Sequence, residues 1–323
     1  MYLVDKSDII NCKSWMGIAD CNYEYDYPGV DDIPPSGIVY CNIEHITKFF
    51  DKCKRAPHHK YVVVSGFSDF GLAYQKEHPV AMDMLKWLPF IESEIPSIEY
   101  KALNIGPRCD VEKCNIRDRY SIKCHSFTME TFDKIPDNVI KWFVVNPLLM
   151  KNKLQGIPIG VGKDSADAIS NTPDAIKTNW LYVNWQNYTT DRMHIKKFFI
   201  NNGWDWVTAH ENPDVPYEEY LSELSRHRFV ACPPGNGVDC YRILESIYLG
   251  AIPIVEDSPT MRYLDGLPIL KIRSWGVVNS LDWLQRKYDE ISSRLPPVAP
   301  TLDKAKLSYW TKIIRGAFHE HFS

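Results

Sequence analysis

HRFVACPPGNGVDCYRILESIYLGAIPIVEDSP (227–259) contains a complete structural unit. The apolar run RFVAC (228–232) breaks at PPGNG (233–237), where proline and glycine mark a turn. DCYRILESIYLG (239–250) then reads as a helix closed by Gly250, and AIPIVED (251–257) as a second strand. Strand, glycine turn, helix and strand in succession make one parallel crossover unit.

The same alternation runs outward in both directions. GIVYCN (37–42), HKYVVVSG (59–66), SIEYKALN (97–104), VIKWFVVN (139–146) and KLQGIPIGVG (153–162) are strand-like runs, mostly continuous in their apolar residues. Such runs belong to parallel sheets buried on both faces. HITKFFDKCKR (45–55) and MDMLKWLPFIESE (82–94) are helical stretches between them. KDSADAISNTPDAIKTN (163–179) is polar and turn-rich, and is read as the linker. After it come a strand (179–186), a helix over 189–203, a strand (204–210) and a helix over 215–227. PILKI (268–272) is a further strand, and the last 40 or so residues read as helical. The first 35 or so residues, with NYEYDYPGVDDIPPSG (22–37), read as an irregular lead-in. The expected fold class is therefore α/β, with two Rossmann-like domains facing a cleft. Residues 1–165 form the first domain, 175–300 the second, and 301–323 a C-terminal helix that packs back on the first.

A chain of 323 residues is long enough for two cores. Ten Trp, 18 Tyr and 13 Phe exceed what small cores need, so some are expected along a cleft. The net charge of −4 disfavours nucleic acid as a main partner, and Lys52, Lys54 and Arg55 read as a solvated helix face. No run of apolar residues is long enough for a membrane span, and the Met1 end has no signal-peptide pattern, so the expected location is cytoplasmic. Nine Cys at irregular spacing suggest reduced thiols. Cys109, Cys114, Cys124 and His125 fit no tight zinc-ligand spacing, and no metal is expected.

The chemistry concentrates after the glycine turn. Asp239 is read as capping the helix, whose N-terminus offers free N–H groups to a diphosphate. Arg242 adds a charge-assisted fork. Glu245, three residues on and on the same side, is placed to accept ribose hydroxyls. Glu256 and Asp257 end the next strand on the cleft side. The plain alternatives are equally physical. Such a turn occurs in every doubly wound protein, and Arg242 with Glu245 also reads as a helix-surface ion pair.

The stretch resembles the C-terminal signature of exostosin-like glycosyltransferases. The resemblance rests on FVACPPGNG, on Arg242 and Glu245 in Arg-x-x-Glu spacing, and on GAIPIV (250–255). It is similar, more loosely, to fucosyltransferases. The resemblance implies a GT-B fold with the nucleotide sugar on the second domain, the acceptor on the first, and no metal. It also implies that Pro234, Gly235, Asn236 and Gly237 lie along the phosphates, that Arg242 neutralises the leaving diphosphate and that Glu245 holds the ribose. Arg192 becomes a second phosphate clamp, read otherwise as a solvated residue at a helix start. His210, ending its strand, faces the base or is a satisfied structural residue. The nucleotide sugar is a co-substrate, and no cofactor is expected. The family's animal members carry membrane anchors and secretory targeting, so the lack of both suggests a bacterial or viral origin.

Inverting transfer needs a base for the acceptor hydroxyl. Asp69, just past HKYVVVSG, is the first candidate, with Glu44 and His45 after GIVYCN next. Asp69 reads otherwise as a turn-capping carboxylate. His125, Trp142 and Asn146 are read as lining an acceptor pocket. Glu245 and Glu256 do not form the E-x7-E pair often seen in retaining relatives, which favours inversion. The expected activity is transfer of a sugar from a UDP- or GDP-sugar to a hydroxyl of a glycan. The alternatives are a retaining or hydrolytic relative, a DNA- or protein-modifying glycosyltransferase, and a nucleotide- or glycan-binding module without activity.

Overall fold

The computed structural model describes residues 4–66, 135–147, 153–186, 190–211, 214–235, 237–294 and 302–321. They divide into two α/β units, each carrying a five-stranded parallel sheet. The expectation of two Rossmann-like units is met. One unit comprises Trp15–Ile157 and Thr311–Ser323, the other Met1–Ser14 and Pro158–Trp310. The division is not contiguous, whereas the sequence suggested one domain over 1–165.

The first unit holds α1 (Ser14–Ile18), β1 (Cys21–Asn22), α2 (Tyr23–Asp26), β2 (Gly37–Tyr40), α3 (Ile46–Arg55), β3 (Tyr61–Ser65), β4 (Val139–Val145) and β5 (Leu154–Ile157). The strands lie in chain order across the sheet. Val39, Val63, Trp142 and Val144 pack with Phe49, Phe50 and Cys53 of α3 in one core. Their strand neighbours Ile38, Val62, Val64 and Phe143, which point to the other face, are also buried. That is why these strands read as continuous apolar runs.

The lead-in is more ordered than expected. Asp20 accepts a hydrogen bond from the Ile38 amide at 2.8 Å, and Asp26 from the Asn22 amide at 2.7 Å. These short carboxylates pin β1 beside β2, and Tyr23 packs edge-on to Phe49 at 5.1 Å. Lys52 is not solvated: it is buried and donates to the carbonyls of Tyr27 and Gly29. Lys54 and Arg55 do face solvent, pairing with Asp51 and Asp31.

The second unit holds α4 (Ser165–Asn171), β6 (Asn179–Val183), α5 (Thr190–Asn202), β7 (Val207–Ala209), α6 (Tyr217–Ser225), β8 (His227–Ala231), α7 (Tyr241–Tyr248), β9 (Ile252–Glu256), β10 (Leu270–Ile272) and α8 (Leu281–Arg294). A last helix, α9 (Leu307–His319), ends the described chain. α4 lies inside the supposed linker. Ile169 buries its side chain there, and Thr172 closes the helix by donating to the Ala168 carbonyl at 2.8 Å. Burial outweighs the local turn chemistry.

Residues 9–12 join this unit through backbone bonds. Ile10 O accepts from the Val161 amide, and Val161 O from the Cys12 amide. Gly160, at φ +88°, permits the approach, since a Cβ there would sit 2.8 Å from the Ile10 carbonyl oxygen. Tyr248 fixes the segment by accepting from the Ile10 amide and donating to the Ala305 carbonyl.

The second sheet runs β10-β9-β8-β6-β7. From β6 the chain steps one way to β7, then crosses back to place β8 on the other side of β6. Right-handed crossovers then put α5 on one face and α6 and α7 on the other. α6 packs on both α7 and β8 accordingly. Such a reversal opens a crevice outside the carboxyl ends of the two strands, here β6 and β8. The described strands of the first sheet contain no reversal.

Candidate functional site

Two helices from opposite faces of the second sheet start at this crevice. α5 brings Arg192 in its first turn and Lys196 one turn on, and α7 brings Arg242 in its first turn. Arg192 and Lys196 are 6% and 2% exposed. Burial holds the Lys196 ammonium below its ordinary range, and the fields of Arg242 and Arg192 push it the same way. Three cations therefore converge here within reach of one another's charge. The cluster also has negative neighbours in Glu245 and Glu211.

Each cation is held differently. Arg192 donates from Nε to the Pro234 carbonyl at 3.0 Å and from Nη2 to the Pro233 carbonyl at 3.1 Å. Lys196 donates to the Trp185 carbonyl at 2.6 Å. The Arg242 Nη1 lies 4.0 Å from the Cys240 sulfur. Its Nε is buried and has no hydrogen-bond partner among the described residues. A buried donor without a partner costs on the order of 1–3 kcal/mol, more if charged. That cost is what an incoming oxyanion would remove. Lys196 escaped the sequence reading, although its i, i+4 spacing from Arg192 put both on one helix face.

The loop between β8 and α7 is packed by Arg192. A Cβ on Gly235 would meet the Arg192 Nη2 at 2.5 Å, and the Gly235 amide donates to the Gly237 carbonyl at 2.9 Å. A side chain here would make the guanidinium of Arg192 shift. Gly235→Ala is expected to push Arg192 off both proline carbonyls and to lower thermal stability by several degrees. Differential scanning calorimetry reads this, and an unchanged Tm would contradict the packing. Asn236 lies outside the described residues.

Asp239 does not cap α7. The cap position is Cys240, which makes no side-chain cap bond. Asp239 is 3% exposed and accepts from the Ile159 amide at 2.8 Å and from the Tyr263 hydroxyl. Burial raises its carboxyl from an ordinary 3.8 to about 7, although both hydrogen bonds oppose the rise. The folded state then keeps a proton that the unfolded chain releases, so this residue makes stability fall as pH rises from about 4 to about 7. Asp239→Asn, which cannot ionise, is expected to flatten urea stability across that window. An unaltered slope would show Asp239 ionised throughout.

Glu245 sits on α7 at 5% exposure. Its two oxygens accept from Tyr217 at 2.9 Å and Tyr220 at 2.8 Å, both from α6. Burial holds its carboxyl above the ordinary range, against the pull of Arg242 and of both tyrosines. Burial pushes the two phenols up as well, which keeps them as O–H donors. Glu245 is thus no exposed ion-pair partner, and the tyrosines were invisible to the helix-by-helix reading. The Cys240 thiol is drawn below its ordinary range, first by the neighbouring Cys232 thiol, then by Arg242 and Arg192, with burial opposing.

Other expected residues are engaged elsewhere. His210 pairs with Glu223 through Nε2 at 2.8 Å and packs edge-on to Tyr182. Glu256 accepts from the Trp275 indole at 2.6 Å. In the first unit, Glu44 and His45 lie in the short turn Ile43–His45 past the carboxyl end of β2. Asp69 and His125 lie outside the described residues, as do Cys109, Cys114 and Cys124. Trp142 is fully buried and donates to Ser65 Oγ at 2.9 Å. Asn146, just past β4, is buried at a left-handed φ of 51°. Among the described residues no group of three or more His, Cys, Asp or Glu is arranged to hold a metal, and no helix is long and apolar enough to cross a membrane.

Comparison with known proteins falls on this same region. A family model described as the RXYLT1 C-terminal domain matches residues 183–269. No curated protein matches the chain. Among solved structures it is similar to a trehalose-6-phosphate synthase studied with bisubstrate glycomimetics. That likeness has a TM-score of 0.41 and 9% identity, covering 90% of this chain and 75% of the other. A UDP-forming α,α-trehalose-phosphate synthase from Burkholderia xenovorans gives a TM-score of 0.40 at 10% identity, covering 88% and 74%. The glycotransferase of kitacinnamycin gives 0.33 at 13%, covering 93% and 74%.

Proposed function

We propose that the chain is a glycosyltransferase that binds a nucleoside diphosphate sugar outside the carboxyl ends of β6 and β8. The observation that carries this is the convergence of Arg192, Lys196 and Arg242 from two helices at the reversal of the second sheet. Two buried cations and a half-buried third near one another favour a multivalent anion, and a diphosphate supplies it. The RXYLT1 C-terminal domain match covers all three. It also covers the motifs that resemble exostosin-like glycosyltransferases.

In this reading Arg242 takes the diphosphate through its unpartnered Nε, with Lys196 and the first turns of α5 and α7 adding positive potential. Low-dielectric cations aimed at a leaving diphosphate stabilise the charge that develops as the sugar departs. Glu245, held by Tyr217 and Tyr220, accepts from the ribose with its remaining lone pairs. The donor is a UDP- or GDP-sugar and the acceptor a hydroxyl of a glycan, with inversion and without a metal. We assign the acceptor to the first unit, with Glu44, His45 and Asp69 as candidates for the base.

A thermal-shift panel of UDP, GDP, CDP, ADP and TDP, with and without magnesium, tests the binding step. A nucleotide at about 100 times its dissociation constant adds about 2.7 kcal/mol to stability. One base is expected to stabilise without magnesium. The matching nucleotide sugar should then release free nucleoside diphosphate when a glycan acceptor is added. No stabilisation by any nucleotide would remove the donor site.

A further inference from the structure

α9 and the edge of the first sheet flank a cavity of about 510 Å³, a size that takes small molecules. Its described lining lies wholly in the first unit. On the sheet side stand Lys141 and Phe143 of β4 and Gln155 of β5, the edge strand of the described sheet. Lys141 pairs with Val62, and Phe143 with Val64 and Gln155, so all three share the face turned away from α3. The register shifts between Val139 and Lys141, and the extra residue there, Ile140, also lines the cavity. From α9 come Ile313, Gly316 and Ala317, with Glu320 just beyond its end. Their i, i+3, i+4, i+7 spacing is one face of a helix.

Two features on opposite walls point to an occupant. Gly316 lies inside α9, where glycine is less stable than alanine, yet a Cβ there would meet nothing within 4 Å. Packing therefore does not require the glycine, and its missing side chain leaves the space open. Across from it, Lys141 interrupts the apolar run VIKWFVV (139–145) and Gln155 interrupts LQGI (154–157). The same sheet face is otherwise apolar and buried at Ile38, Val62, Val64 and Phe143. Lys141 and Gln155 are half-buried, and neither side chain has a hydrogen bond or ion pair among the described residues. A cation and an amide beside apolar walls suit an anionic group carried on an apolar body. Glu320 and His321 line the exposed end of the cavity. The Glu320 charge disfavours an anion at that end and turns it inward to Lys141.

We propose that this cavity is a binding site for a small carboxylate with an apolar body, such as a medium-chain fatty acid. The Lys141 ammonium and the Gln155 amide N–H donate to the carboxylate oxygens. The apolar body lies along Ile140, Ile313 and Ala317. The site is distinct from the candidate base residues Glu44 and His45, which follow the carboxyl end of β2. It also uses none of Arg192, Lys196 and Arg242, so it stands or falls independently of the donor site.

Titration calorimetry of the intact chain with octanoate, below its micellar concentration, tests this. Saturable binding at a single site is expected. 1-Octanol keeps the body and loses the charge, and should bind roughly tenfold more weakly, because a hydrogen bond between charged groups is gone. Octanoate should lose a similar factor on Lys141→Met, a variant that keeps a long side chain in the strand. Gly316→Leu is expected to fill the space and abolish octanoate binding without lowering Tm, and Gly316→Ala to raise Tm. Calorimetric melting of each variant accompanies the titrations. No saturable binding to the wild type would overturn the proposal, as would equal affinity for 1-octanol or undiminished affinity in Lys141→Met. Wild-type binding in Gly316→Leu would place the ligand elsewhere. A lowered Tm in that variant would show that the chain itself fills the space, which also overturns the proposal.

Discussion

Arg242→Met is expected to weaken binding of the stabilising nucleoside diphosphate by roughly 100-fold, since a charge-assisted hydrogen bond contributes about 1.5–3 kcal/mol and 1.4 kcal/mol is tenfold. Arg242 Nε is buried without a partner among the described residues, at the start of a helix whose dipole favours anions. Met keeps an unbranched apolar stem and removes the fork. Arg242→Lys restores charge but not the planar fork, and should recover only part of the loss. Titration calorimetry on folded variants reads all three affinities. Wild-type affinity in Arg242→Met would mean that Arg242 serves only its neighbours Tyr220, Cys240 and Glu245.

Trp142→Ala is expected to cost about 3–5 kcal/mol of stability, the range for removing a large buried aromatic. Trp142 is fully buried and meets Phe50 edge-on at 5.4 Å. Its indole donates to Ser65 Oγ, which donates to the Cys41 carbonyl at 2.6 Å. This chain ties the carboxyl ends of β2 and β3 to the middle of β4. Trp142→Phe keeps the ring packing, loses the hydrogen bond and should cost markedly less. Urea unfolding followed by circular dichroism distinguishes them. A loss under about 1 kcal/mol on Trp142→Ala would return Trp142 to the pocket wall that the sequence suggested.

The two sheets were legible because parallel strands buried on both faces leave unbroken apolar runs, as in Tyr61–Ser65 and Phe229–Ala231. The order of those strands was not, because crossover direction leaves no mark in periodicity. The crevice between β6 and β8 thus appeared only with the fold. Arg192 and Arg242 stood out through the motifs around them. Lys196 did not, since a lysine on a helix reads as solvated until its burial is known. Tyr217 and Tyr220 reach Glu245 from another helix, and such pairing is a tertiary fact. Asp239 has the chemistry of a helix cap. Here the Ile159 amide and the Tyr263 hydroxyl, both distant in sequence, compete for it and win. Residues 163–179 misled because Ser, Asp and Asn suit turns, while buried Ile169 makes a helix of them.

We propose that one multivalent anion sits among Arg192, Lys196 and Arg242. A crystal structure of the chain with the stabilising nucleoside diphosphate tests it most directly. Phosphate oxygens are expected within hydrogen-bond distance of the Arg242 guanidinium and the Lys196 ammonium, outside the carboxyl ends of β6 and β8. A nucleotide bound elsewhere, with the Arg242 Nε still unpartnered, would contradict it.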